Sequence, residues 1–356
     1  MPLSTSSFKR REPGQDLVKL LIAGLLAGLL LVVASENILR ALGARASTRE
    51  TATLWAEHRA TASAIDIEKI IIIGSSRAQL GVDIEELENL SGTRVVQLAI
   101  DGSPYSAILE SLANDPAVTG TIIISTTLDR LQPSDVTGRA EQWLEEFEIE
   151  FQDASFLHLE NNLVAGLQSI SALYANVIPL TRIARSIVGF DDFPTTFVST
   201  QRNRERNADY NLAPYPDVYV TRVMSTLDLT LEQESFVDID AFDAEVILAA
   251  REDATRNSRQ LPNLSFINTQ LTKLQARSVN VIFVQFPMSG AVAAINDIRY
   301  PKAMWDVATQ QLNANVIDYR DYPALQYELV DGSHLDVRQK TEFTRNLYRI
   351  INQLAP

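Results

Sequence analysis

An α/β domain, built in three layers around a mostly parallel five-stranded sheet, is the fold class that this chain predicts. From residue 66 onward short apolar runs alternate with amphipathic stretches, the rhythm of strand, helix, strand. The runs are continuous rather than alternating, so each reads as a strand covered on both faces. In such sheets the residues that bind or react lie at the carboxyl ends of the strands, which puts the turns after residues 73, 100 and 125 on one rim.

Composition agrees with that class. The 356 residues are 46% hydrophobic and 21% charged, enough for one large domain or two modest ones and unlike a disordered chain. A net charge of −14 excludes nucleic acid as a general partner, because phosphate binding needs a basic surface. The absence of cysteine excludes disulfides, thiolate chemistry and cysteine-ligated metal.

A tail, residues 1–16, carries Lys9, Arg10 and Arg11, and Lys19 precedes an uninterrupted apolar run over 20–34. Taken as 17–35, the run is just long enough to span a bilayer as a single transmembrane helix. A cleaved signal peptide competes, with Ala44-Arg45-Ala46 as an A-x-A-like site. The retained anchor is favoured, because the run is at the upper limit for a signal sequence and continues amphipathically through Ile38, Leu39 and Leu42. The basic flank predicts a cytoplasmic tail, hence a single-pass protein of the inner (cytoplasmic) membrane with an extracytoplasmic C-terminal domain. Arg40, Arg45 and Arg49 beyond the span make the asymmetry slight. Gly24 and Gly28 form a G-x-x-x-G, which reads either as a face through which two copies approach as a homodimer or as a chance pair in a Gly/Ala/Leu-rich span. Residues 36–65 read as a juxtamembrane helix or stalk, with His58 simply solvated.

Residues 69–80, K-I-I-I-I-G-S-S-R-A-Q-L, organise the domain: a buried strand over 70–73, a glycine turn, and a helix start at Ser76. A hydroxyl there lies against free N–H groups and the positive end of the macrodipole, a setting for a nucleophile. Taken alone, the turn reads more simply as one closed by a serine N-cap. Helix 84–90, strand 94–100, helix 105–113 and strand 121–125 follow. The strand rhythm then stops, and residues 139–261 read as a mostly helical insertion at the rim. Phe156, Leu163, Leu167, Ile170, Tyr174 and Val177 line one helix face, and 241–251 form another helix. Within the insertion 191–217 is irregular, and the polar run 201–207 reads most simply as a solvated loop, with a binding surface as the other reading. Helix 265–276, strands 279–286 and 315–319, and helix 337–354 capped by Asp336 complete the fold.

Asp331-Gly332-Ser333-His334 stands just before that last helix. A serine nucleophile needs a base, and the base needs a partner that holds its tautomer. A D-x-x-H turn can aim both side chains one way, so that Asp331 bonds one ring nitrogen of His334 while the other faces Ser76. Alone, His334 reads as a surface histidine; paired with the G-S-S turn it makes a site. No histidine pair stands at ligand spacing and there is no phosphate-loop signature, so no metal and no cofactor is expected.

With these blocks in this order, the chain resembles the SGNH or GDSL-like hydrolase superfamily, in particular its membrane-anchored members with a G-S-S-R first block. The resemblance covers 66–356 apart from the insertion, and it implies a flavodoxin-like SGNH fold. In Gly74-Ser75-Ser76, matched to G-D-S, it makes Ser76 the nucleophile. In Leu98-Ala99-Ile100-Asp101-Gly102-Ser103 it makes Gly102 an oxyanion donor beside the Ser76 N–H. In the last block it assigns Asp331 and His334 to the triad. The third block departs from the pattern: where the family has G-x-N-D, this chain reads Ser125-Thr126-Thr127-Leu128-Asp129-Arg130. The oxyanion asparagine is missing, and Thr126, Thr127 or Arg77 is left to substitute; one lost donor typically costs on the order of a hundred- to a thousandfold in rate. The implied function is a serine esterase or O-acyl(acetyl)transferase acting on a cell-envelope glycan, with envelope or acyl-transfer proteins as partners. The other reading is a catalytically weak or inactive scaffold of the same fold in an envelope or polysaccharide-export assembly.

Overall fold

The computed structural model describes residues 14–65, 68–133, 138–150, 155–175, 185, 196–227, 238–257 and 259–354. The basic residues at 9–11 and the apolar positions Val177 and Pro194 lie outside the described residues.

Five strands form one sheet in the order β2-β1-β3-β6-β7: β1 Lys69–Ile73, β2 Arg94–Gln97, β3 Thr121–Ser125, β6 Asn280–Gln285 and β7 Asn315–Asp318. Every neighbouring pair is parallel, with Ile71 paired to Val96 on one side and to Ile122 on the other. β-Branched residues favour the extended pleat, and their alternation divides them between two cores. Ile70, Ile72, Ile123 and Ile282 face one core, while Ile71, Ile73, Ile122 and Ile124 face the other. That division makes three layers.

The helices are α1 Gly14–Ala41, α2 Ala52–Ala62, α3 Ser76–Gly81, α4 Ile84–Ser91, α5 Ser106–Asn114, α6 Arg139–Glu150, α7 Ser155–Ile170 and α8 Ala172–Ala175. After them come α9 Asp217–Leu227, α10 Ile239–Arg256, α11 Ser265–Gln275, α12 Gly290–Arg299, α13 Lys302–Thr309 and α14 Val337–Leu354. The first core is covered by α4, α9, α10, α12 and α14, and the second by α2, α5, α6, α11 and α13. The insertion therefore contributes to both layers, with Trp143 of α6 on one face and Val223 of α9 and Val246 of α10 on the other.

Three sequence expectations need correction. Residues 52–62 are a helix of the domain rather than a stalk: Trp55 is fully buried and its indole N–H donates to the Leu98 carbonyl at 2.9 Å. Arg59 on the same helix is buried against Asp115. His58 is not simply solvated, since its Nε2 lies 3.2 Å from the Arg202 carbonyl, and burial first and the Arg204 charge next lower its pKa to about 3. The polar run 201–207 is not a solvated loop either. It forms the turn and the start of the second strand of a two-stranded antiparallel ribbon, β4 Val198–Thr200 and β5 Arg206–Ala208, and Arg204 in that turn is fully buried.

At the N-terminus, Asp16–Ala41 is long and apolar enough to cross a membrane, its most apolar 18-residue stretch having a mean hydropathy of 2.7. Its last two turns meet the insertion, where Glu36 accepts hydrogen bonds from the N–H groups of Ala172 and Leu173 at the start of α8. A Cβ added at Gly24 or Gly28 would meet no described residue outside its own helix within 4 Å.

Candidate active site

Gly74 follows β1, and its φ of +142° and closeness to β3 exclude a side chain: a Cβ there would lie 2.8 Å from the Ser125 Cβ. Ser75 is the N-cap of α3 but makes no side-chain cap bond, and Ser76 is the first helical residue. The N-cap explanation of this serine pair therefore does not describe it. The Ser76 hydroxyl lies instead 2.8 Å from His334 Nε2.

On the far side of the ring, His334 Nδ1 is 2.7 Å from Asp331 Oδ2. The other oxygen, Oδ1, accepts from the N–H groups of Ser333 at 2.9 Å and His334 at 2.8 Å. The turn that allows this has Gly332 at φ +76°, pressed so closely on Val292 that a Cβ would meet it at 2.8 Å. A D-x-x-H segment thus folds onto its own carboxylate, and both side chains leave it on the side facing α3.

The pair's own bond and charge, rather than burial, keep the two titrations apart. Asp331 and His334 are buried, whereas Ser76 is part-exposed. Burial lowers the imidazole's pKa from its ordinary value; Asp331 opposes this, and the Arg222 and Arg77 charges add to it. Burial works to raise the Asp331 carboxyl, but the bond and charge of His334, the Ser333 N–H and Arg222 outweigh it and hold the carboxylate below its ordinary range. Arg222 Nε is 3.4 Å from Asp331 Oδ2 but makes no hydrogen bond, so it acts through charge alone. At neutral pH the arrangement is a carboxylate, a neutral imidazole and a hydroxyl in line, able to draw a proton from Ser76.

Asp336 takes no part in that line. Its Oδ1 accepts from the Arg338 N–H at 2.8 Å, its Oδ2 accepts from the Tyr210 N–H at 2.9 Å, and its own N–H donates to Gln339 Oε1 at 3.1 Å. These bonds anchor the start of α14.

Gly102 sits in the turn after β2 at φ +68°. The Ile100 N–H donates to the Gly74 carbonyl at 3.1 Å, so this turn hangs beside the one that carries Ser76. Neither the Ser76 nor the Gly102 N–H has an acceptor among the described residues. Of the three substitute donors, Thr126 is committed elsewhere: its hydroxyl donates to the Thr127 carbonyl at 3.1 Å and meets the Tyr105 hydroxyl at 3.1 Å. Thr127 and Arg77 both line a cavity of about 370 Å³ beside the triad, which Ser75 reaches but Ser76 and His334 do not. Arg77 also donates Nε to the Ser333 hydroxyl at 3.0 Å, which ties α3 to the D-x-x-H turn.

The Gly102 turn is held by residues that carry no catalytic signature in the sequence. Arg204 donates Nη1 to the Gln97 carbonyl at 2.7 Å and Nη2 to the Ala99 carbonyl at 3.0 Å, while pairing with Glu50 at 2.7 Å. Arg206 pairs with Asp101 at 2.7 Å, and Arg139 donates to the Asp101 carbonyl. The only sequence signal of Arg204 and Arg206 is charge density in a short polar run, which solvated loops share. Among the described residues Asp306, Asp318 and Asp321 could share a metal ion, but the Lys302 ammonium already sits among them, 2.7 Å from Asp306 and 3.0 Å from Asp321.

No protein-family model matches the chain, and no curated protein matches it.

Proposed function

We propose that the chain is a membrane-anchored, extracytoplasmic serine esterase or O-acyltransferase of the SGNH type, acting on acyl esters of a cell-envelope glycan. The observation that carries this reading is the unbroken line from Ser76 Oγ through His334 to Asp331, at 2.8 Å and 2.7 Å. His334 Nε2 takes the Ser76 proton as Oγ attacks the acyl carbonyl. The Ser76 and Gly102 N–H groups face the charge that develops on the carbonyl oxygen. The imidazolium then protonates the departing sugar oxygen, leaving an acyl-serine. In the second half His334 deprotonates water or an acceptor hydroxyl, which takes the acyl group and frees Ser76. Asp331 steadies the imidazolium in both halves. The apolar helix α1 supports the membrane part of the reading, and the resemblance in the first and last sequence blocks supports the SGNH part.

A fluorophosphonate probe tests the proposal, because a competent serine displaces fluoride and stays phosphonylated. The detergent-solubilised protein is expected to be labelled on the peptide that carries Ser76, and Ser76→Ala is expected to lose the label. A folded protein that takes no label at any pH supports the scaffold reading, which the missing third-block asparagine favours.

A further inference from the structure

The cavity beside the triad has an electrostatic character that ester chemistry does not require. Arg77, Arg130, Arg259 and Arg299 all line it, brought together from α3, the turn after β3, the segment before α11 and the end of α12. Against them stand two carboxylates: Asp129, 3.5 Å from Arg130, and Asp253, shared by Arg259 at 3.0 Å and Arg299 at 3.2 Å. Two positive charges are left over in the cavity of a chain whose net charge is −14. Arg77 has no carboxylate within ion-pair distance among the described residues; burial disfavours its charge, the more distant Asp129 and Asp331 offset only part of this, and Arg222 adds to it. The Nε of Arg299 is buried without a partner. Gathering guanidiniums costs mutual repulsion and desolvation, which an anion entering the cavity would relieve. A guanidinium's fork of donors also matches the paired oxygens of a carboxylate or phosphate.

We propose that this cavity is a subsite for an anionic group on a sugar, a carboxylate or a phosphate, gripped by Arg77, Arg130, Arg259 and Arg299. The inference deepens the proposed function and rests on it for the location of the reacting ester. Ser75 and Arg77, the two neighbours of Ser76, both line the cavity, so a sugar held there by its charge lies beside the nucleophile. The remaining walls suit a saccharide: Ser103, Ser125 and Thr127 offer hydroxyls, and Tyr300 offers a ring. The bound anion would thus select which residue of a glycan brings its ester to Ser76.

The test is binding, read by calorimetry on the full-length protein in detergent, with trigalacturonate, glucose 6-phosphate and the neutral maltotriose as probes. At least one charged probe is expected to bind at least tenfold more tightly than maltotriose. Arg130→Gln and Arg259→Gln, each at a side chain that reaches solvent, are expected to weaken that binding about tenfold, the loss typical of one charge-assisted hydrogen bond. Arg349→Gln, on the outer end of α14, is expected to leave it unchanged. Binding of trigalacturonate alone assigns a carboxylate, and binding of glucose 6-phosphate alone assigns a phosphate. Equal affinity for charged and neutral probes, or anion binding that survives both variants in folded protein, overturns the inference. Fluorophosphonate labelling of Ser76 is scored separately. Labelling without anion binding sinks this inference alone, and anion binding without labelling sinks the esterase reading alone.

Discussion

Replacing Asp331 by Asn tests the triad with the least disturbance of shape. The carboxylate is buried and accepts three N–H groups, two from the backbone on Oδ1 and one from the ring on Oδ2. In the amide, the two backbone donors require the oxygen at the Oδ1 position, which leaves the NH₂ facing His334 Nδ1. Two donors cannot face each other, so the ring must move its proton to Nε2, where it points at the Ser76 hydroxyl and cannot accept from it. Loss of the orienting carboxylate with geometry intact costs on the order of 10⁴ in rate, about 5.4 kcal/mol of barrier. Packing should change little, because the side chain keeps its volume and Arg222, which loses its opposite charge, is part-exposed. The assay is the second-order rate constant for fluorophosphonate labelling, with a melting curve run alongside. Asp336→Asn is the control and should lose less than about tenfold, since its carboxylate serves the helix start. Labelling of Asp331→Asn within tenfold of wild type, with melting unchanged, would refute the reasoning.

Other consequences follow from the same geometry. The acid limb of the labelling rate against pH should lie below the ordinary histidine value of 6.5, because burial lowers His334's pKa and the reactive form is the neutral ring; a limb above 6.5 contradicts that assignment. Ser76→Ala and His334→Ala should each abolish turnover of an acetyl ester by similar factors, and the double variant should lose no more than either alone. With no third-block asparagine, wild-type turnover of small esters should be slow, and a fast esterase would point to Thr127 or Arg77 as the missing donor. Arg204→Met should destabilise the fold by about 3–5 kcal/mol in denaturant titration, because it strands Glu50 and two carbonyls, and an unchanged midpoint would count against the clamp. His58 holds a folded pKa of about 3 against 6.5 unfolded, so stability should fall as pH drops through that window, by about 1.4 kcal/mol per unit, and His58→Gln should flatten the slope. A C-terminal reporter active only in an oxidising compartment should report the domain outside the cytoplasm, while a mature N-terminus just after Ala46 would overturn the anchor.

The parts of the fold legible in the sequence are those whose burial is local and apolar. The isoleucine run at 70–73 reads as a two-sided strand because each residue has a core of its own to fill, and the helix 337–354 reads from its apolar stripe and its Asp336 start. The D-x-x-H pair is legible because only three residues separate its members, so a single turn settles their meeting. The second strand was expected to reach residue 100 and ends at Gln97, although the Leu98 and Ile100 N–H groups continue the ladder to the carbonyls of Ile72 and Gly74. Trp55 and the ribbon were not legible. A single tryptophan in an Ala, Thr and Arg stretch does not make an amphipathic face, and its buried setting depends on a carbonyl 43 residues away. The ribbon's strands are three residues long and polar, and what buries Arg204 is a set of acceptors at 50, 97 and 99. Hydrophobic periodicity cannot report a segment that is buried by its charges.

That ribbon explains how a site assembled from distant segments keeps its shape. Ser76 and Gly102 belong to turns at adjacent strand ends, but His334 arrives from the far end of the chain and needs a separate brace. Residues 204–206 supply it by facing two ways in succession. Arg204 and Arg206 reach the turn that carries Gly102, through the carbonyls of Gln97 and Ala99 and the carboxylate of Asp101. Glu205 between them reaches the other way, accepting from the buried Lys340 ammonium of α14 at 2.7 Å and from the Ile84 N–H at 3.0 Å. The Tyr210 N–H, just beyond the ribbon, bonds Asp336 two residues after His334. One short polar segment therefore links the Gly102 side of the site to the histidine side. Burial lowers the Lys340 pKa and Glu205 restores part of it, so the brace depends on that pair staying together. Lys340→Met should consequently do more than destabilise. By freeing Glu205 and loosening the ribbon it should slow labelling of Ser76 in protein that is still folded, although residue 340 touches no member of the triad. A variant that melts earlier yet labels at the wild-type rate below its transition would show that the histidine side holds its position without the ribbon.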